Sequence, residues 1–158
     1  MFGAFMLARR DEQQVIDAVL PVMTMAGFQR RESTWYRFST ETVQVLDVQA
    51  AASPSSQRVY LNLGVEFREL HPVTHLRVWD CSVYGRLDHV IPDGEPFSTA
   101  TDFAQMTISP EERLHKIVGF VRQFALPLLD SWQTAAAVTA FTVSERSRGF
   151  TVRLKRKT

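Results

Sequence analysis

The sequence predicts an α+β domain: an antiparallel sheet of four to five strands with two to three helices packed on one face. Three observations carry this reading. Residues Arg58–Phe67 alternate apolar and polar without a break, as a strand with one buried face does. The strand-like segments around it are joined by connections too short for parallel crossovers, so they pair antiparallel. Helical periodicity flanks them, and the second helical stretch opens with Ser109-Pro110-Glu111-Glu112, which combines an N-cap serine, a proline at N1 and a capping-box glutamate.

In chain order, Asp11–Ala26 reads as a helix. Val15, Val19, Val22, Met23 and Ala26 fall on one stripe, and Asp11 and Glu12 sit in the first turn facing the positive end of the dipole. Gly27 is its natural stop, and Pro21 predicts a bend. Trp35–Phe38 is a short aromatic strand followed by a turn at Ser39-Thr40-Glu41. Thr42–Gln49 then places Gln44, Leu46 and Val48 on one face and Val43, Val45, Asp47 and Gln49 on the other. Ala50–Ser56 is a loop. In Arg58–Phe67, Val59, Leu61, Leu63, Val65 and Phe67 point one way and Tyr60, Asn62, Gly64 and Glu66 the other.

A fourth strand is expected over Leu76–Leu87, with Trp79, Cys81, Val83 and Leu87 on its apolar side and Asp80, Ser82, Tyr84 and Arg86 on its polar side. Pro92–Asp102 reads as a loop. Leu114, Ile117, Val118, Val121, Phe124 and Ala125 form the apolar stripe of the capped helix, which Pro127 bends or ends. A third helix is expected over Ser131–Val143, and Phe150–Leu154 as a last strand or extended tail. Leu61, Leu63, Val65, Trp79, Val83, Leu114, Val118 and Val121 are the expected core between sheet and long helix.

The 158 residues make one domain, with residues 1–10 as an N-terminal segment and 146–158 as a basic tail. That length is enough for a core without disulfides or metals. Cys81, the single cysteine, has no internal disulfide partner and reads as a small buried hydrophobe, as suits a reducing cytosol. Arg9 and Arg10 follow an apolar start instead of preceding it, the reverse of a signal peptide. No apolar run nears the ~20 residues of a membrane span. The expectation is a cytoplasmic protein without a membrane.

Of 18 basic and 17 acidic residues, six basic ones (Arg146, Arg148, Arg153, Lys155, Arg156, Lys157) stand in the last fifteen positions against Glu145 alone. The rest then holds 12 basic and 16 acidic residues. Such a tail is either a nucleic-acid arm or a solubilising end that folds back on its acidic body. With Phe150 as its one aromatic it lacks the interleaving of a single-strand binder, so nucleic acid is not the expected partner. The histidines are His71, His75, His89 and His115. Pro72 separates the first two and no cysteine pair or HExxH spacing accompanies them, so no metal is expected. No phosphate-binding glycine loop or GxSxG elbow is present, and no cofactor is expected. Gly64 and Gly85 read as bulges or close-approach points within strands.

One constellation stands out. If the three central strands are neighbours, Asp47, Gln49, Tyr60, Asn62, Glu66, Ser82, Tyr84 and Arg86 converge on the polar sheet face. Arg86 suits a carboxylate or phosphate, and Tyr and Arg are enriched in interface hot spots. The bland reading of the same residues is a solvated face stabilised by cross-strand pairs.

The strings AGFQRRESTWYRF, VQVLDVQ, VYLNLGVEF and DCSVYGRL resemble the domain-of-unknown-function family 4304, over about Ala26–Leu87 with a weaker fit at Leu114–Leu129. The positions that carry the resemblance are Gly27, Phe28, Arg37, Phe38, Gln49, Asn62, Gly64 and Arg86, and Asp47 stands where the family tends to have Asn. The resemblance implies no established activity. By analogy with other small bacterial domains it suggests an immunity protein that neutralises a toxin. The expected function is therefore non-catalytic protein binding through the polar face, in which Asp47, Gln49, Tyr60, Asn62, Glu66, Tyr84 and Arg86 would be the binding residues. Two alternatives stay open: an enzyme with Asp47 or Glu66 as general base and Arg86 as anion anchor, and a nucleic-acid-associated protein using the tail.

Overall fold

The computed structural model describes residues 2–70 and 76–154. His71, His75 and Lys155–Lys157 lie outside the described residues. The chain runs α1 (Phe2–Met25), β1 (Gln29–Arg31), β2 (Thr34–Phe38), β3 (Thr42–Ala50), β4 (Val59–Phe67), β5 (Val83–Arg86), α2 (Glu95–Thr101), α3 (Pro110–Phe120), α4 (Leu126–Ser131), α5 (Ala135–Thr142) and β6 (Thr151–Val152). The six strands form one antiparallel meander in chain order. The α+β class is as expected, with one strand more than the upper count.

Helix α1 starts at Phe2 instead of Asp11, because the residues before Asp11 are mostly good helix formers. Pro21 lies within it on the exposed side. It ends as expected at Gly27, whose φ is +88°. The amides of Gly27 and Phe28 close onto Thr24 O and Met23 O, both at 3.0 Å, the double bond of a Schellman cap.

All helices pack on one side of the sheet. Val15, Val19, Val22 and Met23 of α1, Phe97 and Ala100 of α2 and Ile117 of α3 share a core with Trp35, Leu46, Val48, Leu61, Leu63, Val65 and Val83. Of the expected core, Leu61, Leu63, Val65, Val83 and Val121 belong to it and Val118 packs against it. Leu114 is only half-buried, since α3 turns Arg113 and Ile117 inward. The buried Arg113 guanidinium earns its place by donating to the carbonyls of Thr99, Ala100, Asp102 and Gln105 just beyond and at the end of α2, the partners a buried cation needs.

Other expectations are corrected. The Pro92–Asp102 loop contains α2, which tolerates Pro96 in its first turn and is held by Phe97 and Ala100 one turn apart. Pro127 does not end the long helix. A π-helical turn over Val121–Ala125 joins α3 to α4, and its wider winding accommodates the proline that follows. The third helix is shorter than Ser131–Val143 because the chain breaks at Trp132. The Trp132 carbonyl accepts from the Thr42 hydroxyl (2.6 Å) and the Gln44 amide (3.3 Å), and helix α5 starts afresh with Thr134 as N-cap.

The largest departure lies before β5. Residues 76–82 are not a strand: a 3-10 turn at Val78–Asp80 folds this segment over the far face of the sheet. Leu76, Val78 and Cys81 cover Val43 and Val45 in a second, smaller core. The alternation read from the sequence is interrupted there, so Cys81 and Val83 lie on opposite faces and Trp79 is 43% exposed instead of core. Gly64 allows this close approach, since a Cβ there would sit 2.9 Å from Cys81 Sγ and 3.0 Å from Val78 Cγ2.

Leu63, fully buried between Leu46 and the Gly85 backbone, tests the helix-side core. Leu63→Ala should lower the unfolding free energy by about 2–5 kcal/mol, measured by urea denaturation. A loss below about 1 kcal/mol would mean that the face is wrongly assigned.

Candidate functional site

On the sheet face away from the helices, Thr34, Asp47, Asn62 and Arg86 stand side by side in register across β2 to β5. Next to this row Gln49 pairs with Tyr60 on one side, and Tyr36, Val45, Gly64 and Tyr84 run along the other. Asp47 is 7% exposed and Asn62 8%. Asp47 Oδ1 accepts from Thr34 Oγ1 (2.9 Å) and Ser33 Oγ (3.3 Å), and Oδ2 accepts from Asn62 Nδ2 (3.3 Å). The same Asn62 amide donates to Gln49 Oε1 at 3.1 Å. The hydroxyl of Ser33 comes within reach because β1 and β2 are joined by a two-residue hairpin, Glu32-Ser33, in which Glu32 holds φ at +56°, a costly value for a residue with a Cβ.

The covering segment divides this face. Trp79 and Val78 form a wall shared by two clefts. The first, of about 540 Å³, has Asp47, Ser33, Thr34 and Tyr36 on its inner side and Arg31, Glu32 and Arg77 exposed at its mouth. The second, of about 290 Å³, is lined by Gln49, Asn62, Tyr84, Arg86 and His89, with Gly149 and Thr151 from the C-terminal segment. The Arg77 guanidinium lies 5.4 Å from the centre of the Trp79 ring, and Arg86 lies 3.7 Å above Tyr60. Arg153 reaches back to Tyr84, donating to its hydroxyl at 3.1 Å.

The expected site residues therefore separate into groups. Asp47, Asn62 and Gln49 form one hydrogen-bonded network. Arg86 and Tyr60 form a stacked pair, and Tyr84 stands in the second cleft with Arg153. Glu66 is apart: it is 1% exposed and accepts from the Ser82 hydroxyl and the Phe67 amide, so it offers nothing to a ligand. Ser82 is fully buried with it. Asp47 and Arg86 open into different clefts. Sequence reasoning missed Ser33, Thr34, Tyr36, Arg77 and Trp79. Thr34 was within reach once β2 and β3 are paired, since it is the register partner of Asp47.

The family described as "Domain of unknown function (DUF4304)" matches residues 19–131. The chain belongs to this family. No curated protein and no solved structure matches it significantly. The first cleft of this DUF4304 member is lined wholly from within the matched stretch, whereas the second takes Gly149 and Thr151 from beyond it. No group of three or more potential metal ligands occurs among the described residues, and none of the described helices is long and apolar enough to cross a membrane.

Burial pushes the Asp47 carboxyl above its ordinary value of 3.8, against the hydrogen bonds from Thr34, Asn62 and Ser33 that pull it down. Glu12 is raised too, by burial first, with the Ala50 amide opposing and the Asp47 charge adding. A carboxyl raised on folding binds its proton more tightly in the folded chain than in the unfolded one. Its ionisation therefore costs stability, and that cost grows as pH rises from about 3.8 through the raised value and persists above it. Asp47→Asn should thus raise the melting temperature at neutral pH. The gain should shrink as pH falls below that window, in thermal melts recorded over roughly pH 3 to 8. A variant less stable than wild type at neutral pH would show that the network stabilises more than burial of the charge costs.

Proposed function

We propose that this chain is a non-catalytic binding protein that meets a protein partner across the divided face of its sheet. In the fuller form of this reading it is a cytoplasmic bacterial immunity protein and the partner is a toxin that it neutralises. The observation that carries the binding reading is the pair of arginine–aromatic stacks, Arg77 on Trp79 and Arg86 on Tyr60, standing beside the two clefts. Trp, Tyr and Arg are the residue types that dominate interface energetics, and they do so when held rigidly beside pockets a partner can fill. Here Gln49 and Asn62 are the register neighbours of Tyr60 and Arg86, and Asp47 shares the first cleft with Trp79. The enzyme alternative gains less, because Asp47 and Arg86 line different clefts and Glu66 is sealed.

Co-purification from the source organism, followed by calorimetric titration of the captured protein, tests the reading. Trp79→Ala, Tyr84→Ala and Arg86→Ala should each weaken binding by about 2 kcal/mol or more while leaving the fold intact, since all three side chains lie outside the helix-side core. Affinity unchanged in all three variants would place the interface elsewhere.

A further inference from the structure

The inner wall of the first cleft has an unusual hydrogen-bonding character. The Ser33 and Thr34 hydroxyls spend their hydrogens on Asp47 Oδ1, and the Tyr36 hydroxyl spends its own on Leu76 O at 2.7 Å. What these groups present to the cleft is lone pairs. Asp47 Oδ2 accepts only from Asn62, and a carboxylate oxygen has room for a second donor. Four oxygens with no hydrogen left for a ligand thus line one corner, those of Thr34 and Tyr36 also hydrogen-bonded to each other. Asp47 has no cationic partner among the ion pairs of the described residues, although it is more than nine-tenths buried and a buried carboxylate calls for one.

The complement to an acceptor-only corner with a negative charge is a group with several N–H donors, a positive charge and no acceptor. A primary ammonium fits this description. The mouth of the cleft has the opposite polarity, for Arg31 and Arg77 are exposed there with Glu32 as the acidic residue beside them. We propose that the first cleft is a binding site for a small zwitterion whose primary ammonium seats against Asp47, Ser33, Thr34 and Tyr36, and whose anionic end reaches Arg77. The neutral wall between the two ends is the ring of Trp79. This site shares Arg77 and Trp79 with the proposed interface, but it needs no partner to be tested.

Trp79 supplies the readout, because Trp35 and Trp132 are fully buried and Trp79 is the exposed one of the three tryptophans. Its fluorescence would be followed on titration with 5-aminopentanoate, pentylamine (ammonium only) and pentanoate (carboxylate only). 5-Aminopentanoate should bind about tenfold or more tightly than pentanoate. Asp47→Asn should weaken its binding by a similar factor, and Thr34→Val, which keeps the shape and removes one acceptor, by a smaller one. Arg77→Gln should weaken 5-aminopentanoate and leave pentylamine unchanged. Pentanoate binding as well as the amines, amine binding untouched by both Asp47→Asn and Thr34→Val, or no response of Trp79 to any amine would overturn the ammonium site. Pentylamine binding as tightly as 5-aminopentanoate would overturn the anionic end.

Discussion

The pairing of β3 with β4 over nine residues sets everything else in the molecule. In its register Leu46 faces Leu63 and Val48 faces Leu61 on the helix side, while Asp47 faces Asn62 and Val45 faces Gly64 on the other. A slip of one residue would carry Asp47 and Asn62 under α1 and push the leucines out, so the hydrophobic layer alone fixes the register. The polar row on the far face is therefore not free to drift. The Asp47–Asn62 hydrogen bond, the seat for Val78 and Cys81 over Gly64, and the alignment of Thr34 with Asp47 all follow from the packing of the opposite face.

That far face departs from local rules in two linked places. Glu32 holds a left-handed backbone where a glycine would be easier, and Asp47 keeps a carboxyl in a site whose burial opposes its charge. Both departures meet at Ser33, whose hydroxyl reaches Asp47 because the hairpin turns at Glu32. Sequences that satisfy every local preference fold well, and departures concentrate where function imposes them. The amine-binding site accounts for both at once: the turn supplies an acceptor and the carboxylate supplies the charge, each at some cost to the fold.

Much of the architecture was legible because its signals are periodic. The alternation of β4 and the stripe of α1 each repeat one signal several times, so a single exception does little harm, and α3 opens as expected with the Ser109 hydroxyl accepting from the Glu112 amide. Elements with few residues gave no such repetition. Strand β1 is Gln29–Arg31, exposed throughout, and nothing in three polar residues announces a strand. Helix α2 hid among Pro, Gly and Ser residues and depends on tertiary burial of Phe97. The segment 76–82 misled because Trp79, Cys81 and Val83 mimic an alternation that the 3-10 turn interrupts. The polar face was placed correctly by parity, but parity cannot tell a polar side chain that is sealed with a partner, as Glu66 is with Ser82, from one that borders a cleft, as Asp47 does. Hydroxyl–carboxyl pairing of that kind is visible only once strands are joined.

The C-terminal segment gives the two clefts different standing in time. Strand β6 holds β5 through two residue pairs, and Phe150 rests on Gly85 among Trp132, Phe141 and His89. This strap adds only a short ladder to the sheet, with one further bond from the Arg153 amide to Ser82 O at 2.6 Å, and short edge elements open before the whole domain does. Each such excursion would remove Gly149 and Thr151 from the second cleft and free Tyr84 from Arg153, while the first cleft, bounded by β2, β3 and the segment seated on Gly64, would keep its walls. The second cleft thus lasts only as long as the strap stays docked, and the first as long as the sheet itself.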